Sequence, residues 1–432
     1  MHVPAETRRR PPALPVASLH PRPSGSTVPR TTALPGEDAA RLAGYEDALH
    51  AAGLDSRPVA VLDAAALEAN VADLGTRAAG VPLRLASKSV RVRGVLDRVL
   101  ATEFFEGLLA FTLPEALWLA SHGNGNLVIG YPTADAAGLR ELAASDPARA
   151  AITLMVDSTE QLDFIDTAAP GHPELRVALE LDASYRPTRS LQIGAARSPV
   201  HRPDQLAALA TAVVRRPGFK VVGLMAYEGQ VAGVGNAGSG PRAAAVRAMQ
   251  AASSKELAQR RAEAVAAVRL VAELEFVNGG GTGSIESTAA EPAITEVAAG
   301  SGVFGPGLFD HYTHFSPHHA LHFGLDVVRR PSPETATVLG GGWVASGPPA
   351  ADRLPTIAWP RGLKYRPTEA AGEVQTPLVG DAARRLHPGD VVWFRHAKAG
   401  ELCERVNELA VIRDGSVEDV LPTYRGEGKA FL

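Results

Sequence analysis

A single cysteine, Cys403, in 432 residues leaves the chain unable to form an internal disulfide. A protein built without that crosslink suits a reducing compartment, and the expected location is cytoplasmic. No apolar run reaches the length needed to span a bilayer, so no membrane partner is expected. A dominant sign of charge is missing as well. The 43 basic and 47 acidic residues leave a formal net charge of −4 spread along the chain. That balance excludes a general attraction to nucleic acid or anionic lipid, and any basic site must be local. The first 36 residues lack apolar periodicity: Arg8, Arg9, Arg10, Pro11 and Pro12 open a Pro/Arg/Ser-rich stretch that cannot bury enough surface to fold, and 1–36 is read as a tail. The apolar segment after those arginines, 13–17, is too short and too proline-broken to serve as an export signal.

What is present is globular. Apolar residues make up 45% and charged residues 21%, enough to bury a full core. The length exceeds what one core usually serves, so one domain of about 250 residues and a smaller second domain are expected. From Pro58 onward short β-rich runs alternate with amphipathic segments, the signature of repeated βα units. Strands are expected at 83–87, 107–111, 127–129, 151–156, 177–181, 221–226, 276–278 and 295–298. Helices are expected between them at 64–79, 114–121, 159–167, 205–214 and 242–274, with Pro114 suited to a first helical turn. Eight strands with right-handed crossovers favour a closed barrel. After Phe309 the pattern changes to short strand-like runs at 343–345, 391–394 and 409–412, with Arg413-Asp414-Gly415 as a hairpin turn. The reading is an α/β fold: an (α/β)₈ barrel over 37–312 and a C-terminal all-β domain over 313–432.

In such a barrel, chemistry lies at the C-terminal ends of the strands. Lys88 ends the first, between Arg84 and Arg91, where positive neighbours and desolvation disfavour an ammonium and free the lone pair for attack on an aldehyde. The seventh strand runs into Asn278-Gly279-Gly280-Gly281-Thr282-Gly283-Ser284. Its glycines let backbone N–H groups converge on an anion, and a late-strand position is where barrels bind phosphate. Ser301 and Gly302, after the eighth strand, close the other side of this cradle. Tyr227, at the end of the sixth strand, faces a bound ring or is simply half-buried. Asp182, after the fifth, organises the site or forms a structural ion pair.

Taken in order, Arg84-x-x-x-Lys88, Tyr227-Glu228-Gly229, the 279–284 loop and Arg395-His396-Ala397-Lys398-Ala399-Gly400-Glu401 resemble the fold-type III pyridoxal-phosphate enzymes, in particular the D-threonine aldolase and D-serine dehydratase group. The resemblance runs from Pro58 to the C-terminus. It implies an alanine racemase-like barrel with pyridoxal 5′-phosphate linked to Lys88 as a Schiff base. Arg84, Tyr227, Gly280, Gly281, Thr282, Gly283, Ser301 and Gly302 would bind the cofactor. The site would be completed by the β-domain, often across the interface of a homodimer, and the substrate would be a β-hydroxy amino acid. One departure matters. The group carries a His-x-Asp or His-x-Cys pair for a divalent metal (Zn, Mn or Mg), where this chain reads His396-Ala397-Lys398, and an ammonium cannot coordinate a cation. Either Lys398 replaces the metal beside the substrate hydroxyl, or His396 finds a different partner in Glu401 or Cys403. His396 is the candidate for handling the β-hydroxyl proton in both cases. A retro-aldol cleavage and a dehydrative deamination are both open. The rivals are a racemase using Tyr365 as second acid/base, a non-catalytic pyridoxal-phosphate-binding protein, and a phosphate-binding barrel without a cofactor.

Overall fold

A computed structural model of the chain describes residues 35–432 apart from Arg189, Pro349 and Ala399. The tail read over 1–36 falls outside the described residues as far as residue 34; Pro35 and Gly36 already belong to a helix, Pro35–Ala51.

Eight parallel strands close into a barrel: Leu83–Ala86, Phe105–Ala110, Leu127–Ile129, Ile152–Val156, Leu175–Glu180, Phe219–Ala226, Phe276–Gly279 and Glu296–Ala299. The last pairs with the first through Val297 and Leu83, so no sheet edge remains. These are the strands that the apolar runs predict. A strand covered by helices outside and by other strands inside needs apolar residues on both faces, and Ile152–Val156 is buried throughout. Side-chain oxygens start several of the intervening helices. Thr112 accepts from the Glu115 amide ahead of Leu113–Ser121, with Pro114 in its first turn, and Asp135 accepts from the Ala137 and Gly138 amides. A short hairpin, Tyr185–Thr188 with Leu191–Ile193, interrupts the fifth βα connection and is not foreseen by the sequence reading.

The barrel interior holds an apolar layer that includes Val128, Met155, Val222 and Phe276, and a polar one. Arg84 makes a bidentate pair with Glu296 at 2.6 and 2.7 Å and donates to Asn126 Oδ1 at 2.9 Å, while Asn278 Nδ2 donates to Glu296 at 2.9 Å. Gly107 (φ +78°) is obligatory here, since a Cβ would lie 2.6 Å from the guanidinium of Arg84.

The second unit is a nine-stranded sheet. Leu321–Ser332 is its long central strand, and Val391–Arg395 and Glu408–Arg413 occupy the places that the sequence predicts. The hairpin turn at Asp414 and Gly415 has positive φ at both residues, as a tight two-residue turn requires. Two expectations are corrected. The run at 343–345 is not a strand; Trp343 leaves the sheet to stack on Phe323 with ring centroids 4.1 Å apart. The stretch 37–63 does not join the barrel. Val59–Asp63 pairs antiparallel with Leu321–Ser332 and parallel with Glu408–Arg413, and the helix before it packs Leu42, Tyr45 and Leu49 on Val61, Trp393 and Ile412. Apolar alternation marks a strand but not its partner, which long-range pairing selects.

Replacing Arg84 by Leu would leave the Glu296 carboxylate uncompensated inside the barrel. Chemical denaturation of Arg84→Leu is expected to show a loss of about 3 kcal/mol, most of it recovered in Arg84→Leu/Glu296→Leu.

Candidate active site

One 3₁₀ turn, Ser87–Ser89, follows the first barrel strand and carries Lys88 over the mouth. The turn is held from both sides: Ser87 Oγ donates to the Leu109 carbonyl at 3.2 Å, and Arg91 Nε donates to the Lys88 carbonyl at 2.8 Å. The arginines flanking Lys88 in sequence bring no free charge to its amine, because Arg84 pairs with Glu296 and Arg91 pairs with Glu404 at 2.9 Å. Lys88 Nζ instead donates to Tyr131 Oη at 2.6 Å. Arg197 lies over the Tyr131 and Tyr227 rings, 5.3 and 4.8 Å from their centroids.

These groups line a cavity of about 230 Å³ whose opposite wall is the glycine-rich turn. Gly280 has φ +81°, and a Cβ on it would stand 2.6 Å from Val297 Cγ1; a Cβ on Gly281 would stand 2.9 Å from the Ala232 methyl and 3.2 Å from the Tyr227 ring. Thr282 Oγ1 accepts from the Gly302 amide at 3.1 Å and so ties the seventh-strand turn to the eighth. Ser301 lines the cavity beside Thr282, whereas Gly283 and Gly302 pack behind it. Beneath the turn, Glu228 accepts from the Gly280 amide at 3.1 Å, from Ser284 Oγ at 3.0 Å, from Thr288 Oγ1 and from the buried guanidinium of Arg261 at 2.9 Å.

Among the described residues, Lys398 is the β-domain side chain that lines the same cavity. Its Nζ lies 3.4 Å from Ser346 Oγ, and burial together with Arg353 holds its pKa below the usual lysine range. His396, two residues earlier, does not line this cavity. Its ring packs near Phe304, neither nitrogen is exposed or within hydrogen-bonding geometry of a partner, and burial followed by Arg395 pushes its pKa down to about 3. Cys403 is fully buried in the main hydrophobic core, where burial raises its thiol pKa, and Glu401 accepts from the Ser346 amide. Cysteine is as often a small core hydrophobe as a ligand, and here packing has decided the matter. Among the described residues no group of three His, Cys, Asp or Glu side chains is arranged to hold a metal ion. Arg84, expected at the cofactor, lies one strand layer below the cavity with its guanidinium committed to Glu296 and Asn126. Asp182 accepts from the Ser184 amide and hydroxyl and pairs with Arg186, the structural alternative of its two readings.

Four residues that the sequence reading passed over are central. Tyr131 follows the third strand and Glu180 ends the fifth, positions that the strand-end rule covers. Glu180 is buried, which pushes its pKa up to about 7 against the opposing charge of Arg197. Arg197 and Arg261 come from a long excursion and a long helix, and nothing local marks them.

The arrangement fits pyridoxal phosphate: an amine at the mouth, a facing turn whose close approach excludes Cβ atoms, and aromatic side chains between. Over residues 62–307 the sequence matches the alanine racemase N-terminal domain. The chain belongs to that family. A 3-hydroxy-D-aspartate aldolase from Paracoccus denitrificans is 27% identical over 253 residues, 57% of this chain and 60% of the relative. The chain thus matches about 60% of the length of this curated relative. Among solved structures, a D-threonine aldolase from Filomicrobium marinum superposes with a TM-score of 0.71 at 22% identity, covering 86% of this chain and 95% of that one. D-threo-3-hydroxyaspartate dehydratase from Delftia sp. HT23 gives 0.65 at 20% identity, covering 85% and 97%. At these identities the two superpositions establish a shared fold that includes both the barrel and the second, β-rich unit. The resemblance to fold-type III pyridoxal-phosphate enzymes drawn from the sequence therefore holds.

Adding a branched side chain at Gly281 would push into Ala232 and Tyr227. Gly281→Val is expected to remain folded by circular dichroism while its affinity for pyridoxal phosphate, read by equilibrium titration, falls about tenfold or more, roughly 1.4 kcal/mol.

Proposed function

We propose that the chain is a pyridoxal-phosphate-dependent lyase that acts on a β-hydroxy amino acid of D configuration, by retro-aldol cleavage or by dehydrative deamination. The observation that carries the reading is the meeting of Lys88, the Gly280–Gly281 turn and Lys398 around one cavity. Lys88 would hold the cofactor covalently, and Gly280, Gly281, Thr282 and Ser301 would receive its phosphate. When bound, the cofactor supplies an electron sink for the pair released as a bond to the substrate Cα breaks. The chain's own residues then choose the bond. Lys88 Nζ, as a free amine at the mouth, would be the base placed to take a proton at the substrate Cα. Lys398 stands at the cavity from the β-domain side, where as an ammonium it would assist departure of the β-hydroxyl in dehydration, and as a neutral amine it would take the hydroxyl proton in retro-aldol cleavage, in either case without a metal ion. The names of the relatives, two aldolases and a dehydratase of hydroxylated D-amino acids, support the same substrate class.

The rival readings lack such support. Tyr365, the candidate second acid/base of a racemase, is outside the cavity and donates its hydroxyl to the Pro355 carbonyl at 2.7 Å. A cofactor carrier has no use for a β-domain lysine in its binding cavity, and a phosphate-binding barrel has none for a lysine amine facing the cradle. The proposal includes a cytoplasmic homodimer, in keeping with a buried lone cysteine and with the resemblance, and within one chain the β-domain already contributes Lys398 to the cavity.

The purified protein is expected to absorb near ~420 nm, a value belonging to cofactor chemistry, and to act on one or more members of a panel of D- and L-β-hydroxy amino acids. Lys88→Ala should lack the band. A retained, borohydride-reducible chromophore in that variant contradicts the assignment.

If Lys398 stands in for the metal, chelators should leave activity intact. Lys398→Asp should then be poorly active and be partly restored by divalent cations, because a carboxylate can recruit a hard or borderline ion. Full loss on chelation, reversed by added metal, would overturn this role for Lys398.

A further inference from the structure

Lys88 has an ordinary need. A lysine nitrogen attacks a carbonyl only as the free amine, so an ammonium must first give up a proton. No carboxylate lies within 4 Å of its amine among the described residues, and no histidine lines the cavity. The polar group in reach is the Tyr131 hydroxyl, 2.6 Å from Nζ, which is the distance of a positioned proton acceptor.

We propose that Tyr131 is the acid–base partner of Lys88 and carries the proton that the amine gives up on binding an aldehyde and recovers on release. This rests on the reading of Lys88 as the nucleophile. In the forward step the N–H bond of the ammonium breaks, an O–H bond forms on the Tyr131 phenolate, and the electron pair stays on nitrogen for attack. The reverse step returns the proton as the amine is protonated again. The aldehyde oxygen leaves as water with the two protons remaining on the nitrogen, so no oxidant, reductant or further reactant is needed.

The surroundings favour a pair that shares one proton. Arg197 places its guanidinium 5.3 Å from the Tyr131 ring centroid and stacks on Tyr227 across the mouth. Lys398 faces Lys88 and Tyr131 from the β-domain, and Glu180 faces them from the end of the fifth strand. Burial alone would raise the Tyr131 pKa, but the Lys88 and Arg197 charges outweigh it and hold the phenol below its usual range. Tyr227, the other phenol of the cavity, is raised by burial and makes no such bond to the amine.

The test is Tyr131→Phe, which keeps the ring on which Arg197 stacks. Two readouts are followed from pH 6 to 11 on protein stripped of any cofactor: the rate at which pyridoxal phosphate is captured covalently, and the acetylation of Lys88 by acetic anhydride, located by mass spectrometry. Near pH 7 both are expected to fall about tenfold or more in the variant, within the range of general-base effects. Both should converge on the natural protein above pH ~10, where solvent alone deprotonates a lysine. A reduction equal at every pH would mark a merely structural role, and unchanged reactivity near pH 7 would remove any role; either overturns the proposal. Arg197→Gln should reproduce part of the neutral-pH loss, and no change in that variant would also contradict the shared-proton pair. If the natural protein captures no pyridoxal phosphate, the cofactor reading fails, while the acetylation profile still decides the role of Tyr131.

Discussion

The carboxylate of Glu228 holds the barrel mouth in one shape. It gathers the amide of Gly280, the hydroxyls of Ser284 and Thr288 and the guanidinium of Arg261, so the sixth strand end, the seventh-strand turn, the short helix after it and the long helix Pro241–Arg269 share a single anchor. Both Glu228 and Arg261 are buried, 3% and 0% exposed. A buried charge is tolerable only when paired and hydrogen-bonded, and such a network is rigid; Glu228 meets this with both oxygens and Arg261 with its two terminal nitrogens, its Nε alone lacking a partner. A turn built from glycines has no side chains with which to fix itself, so the rigidity needed to receive a phosphate must come from beneath. Arg261 extends the anchor outward to Glu291 and to the Ala226 carbonyl.

The closed barrel supplies the rest of the geometry. Its strand ends deliver Lys88, Tyr131, Glu180, Tyr227 and the glycine turn to one rim, and the polar layer of Arg84, Glu296, Asn126 and Asn278 fills the space below, so the site has a firm floor. The second sheet, which recruits the N-terminal strand Val59–Asp63, then places Lys398 over that rim. Lys88 from the barrel, the proposed cofactor carrier, and Lys398 from the β-domain line the same cavity of about 230 Å³. That pairing of cations suits an anionic cofactor and substrate, whose charges both lysines can meet.

Much of this architecture is legible in the sequence because its signals are local. Eight apolar runs separated by amphipathic stretches mark the barrel, Lys88 stands immediately after the first run, and the glycine-rich segment stands after the seventh. The pairing of Val59–Asp63 with the distant sheet is not legible, since a strand's own residues do not name its partner. The role of Arg84 was misplaced for a related reason. Its spacing from Lys88 does not give depth along the barrel axis: Arg84 lies within the strand as a floor residue, and Lys88 lies beyond the strand end in the turn at the mouth. His396 and Lys398 both border a neighbouring cavity of about 430 Å³, but of the two only the lysine also lines the cavity that holds Lys88. Tyr131 stands at a strand end, where chemistry is expected, but a lone tyrosine carries no motif to single it out. Arg197 and Arg261 reach the site from segments that have no sequence signature at all.

The central claim is that one lysine, at the end of the first barrel strand, carries the cofactor. Peptide mapping after borohydride reduction of the purified protein tests it most directly. The account predicts a single pyridoxyl-modified peptide with the added mass on Lys88. Modification of a different lysine, or none on protein that shows the visible band, would contradict it.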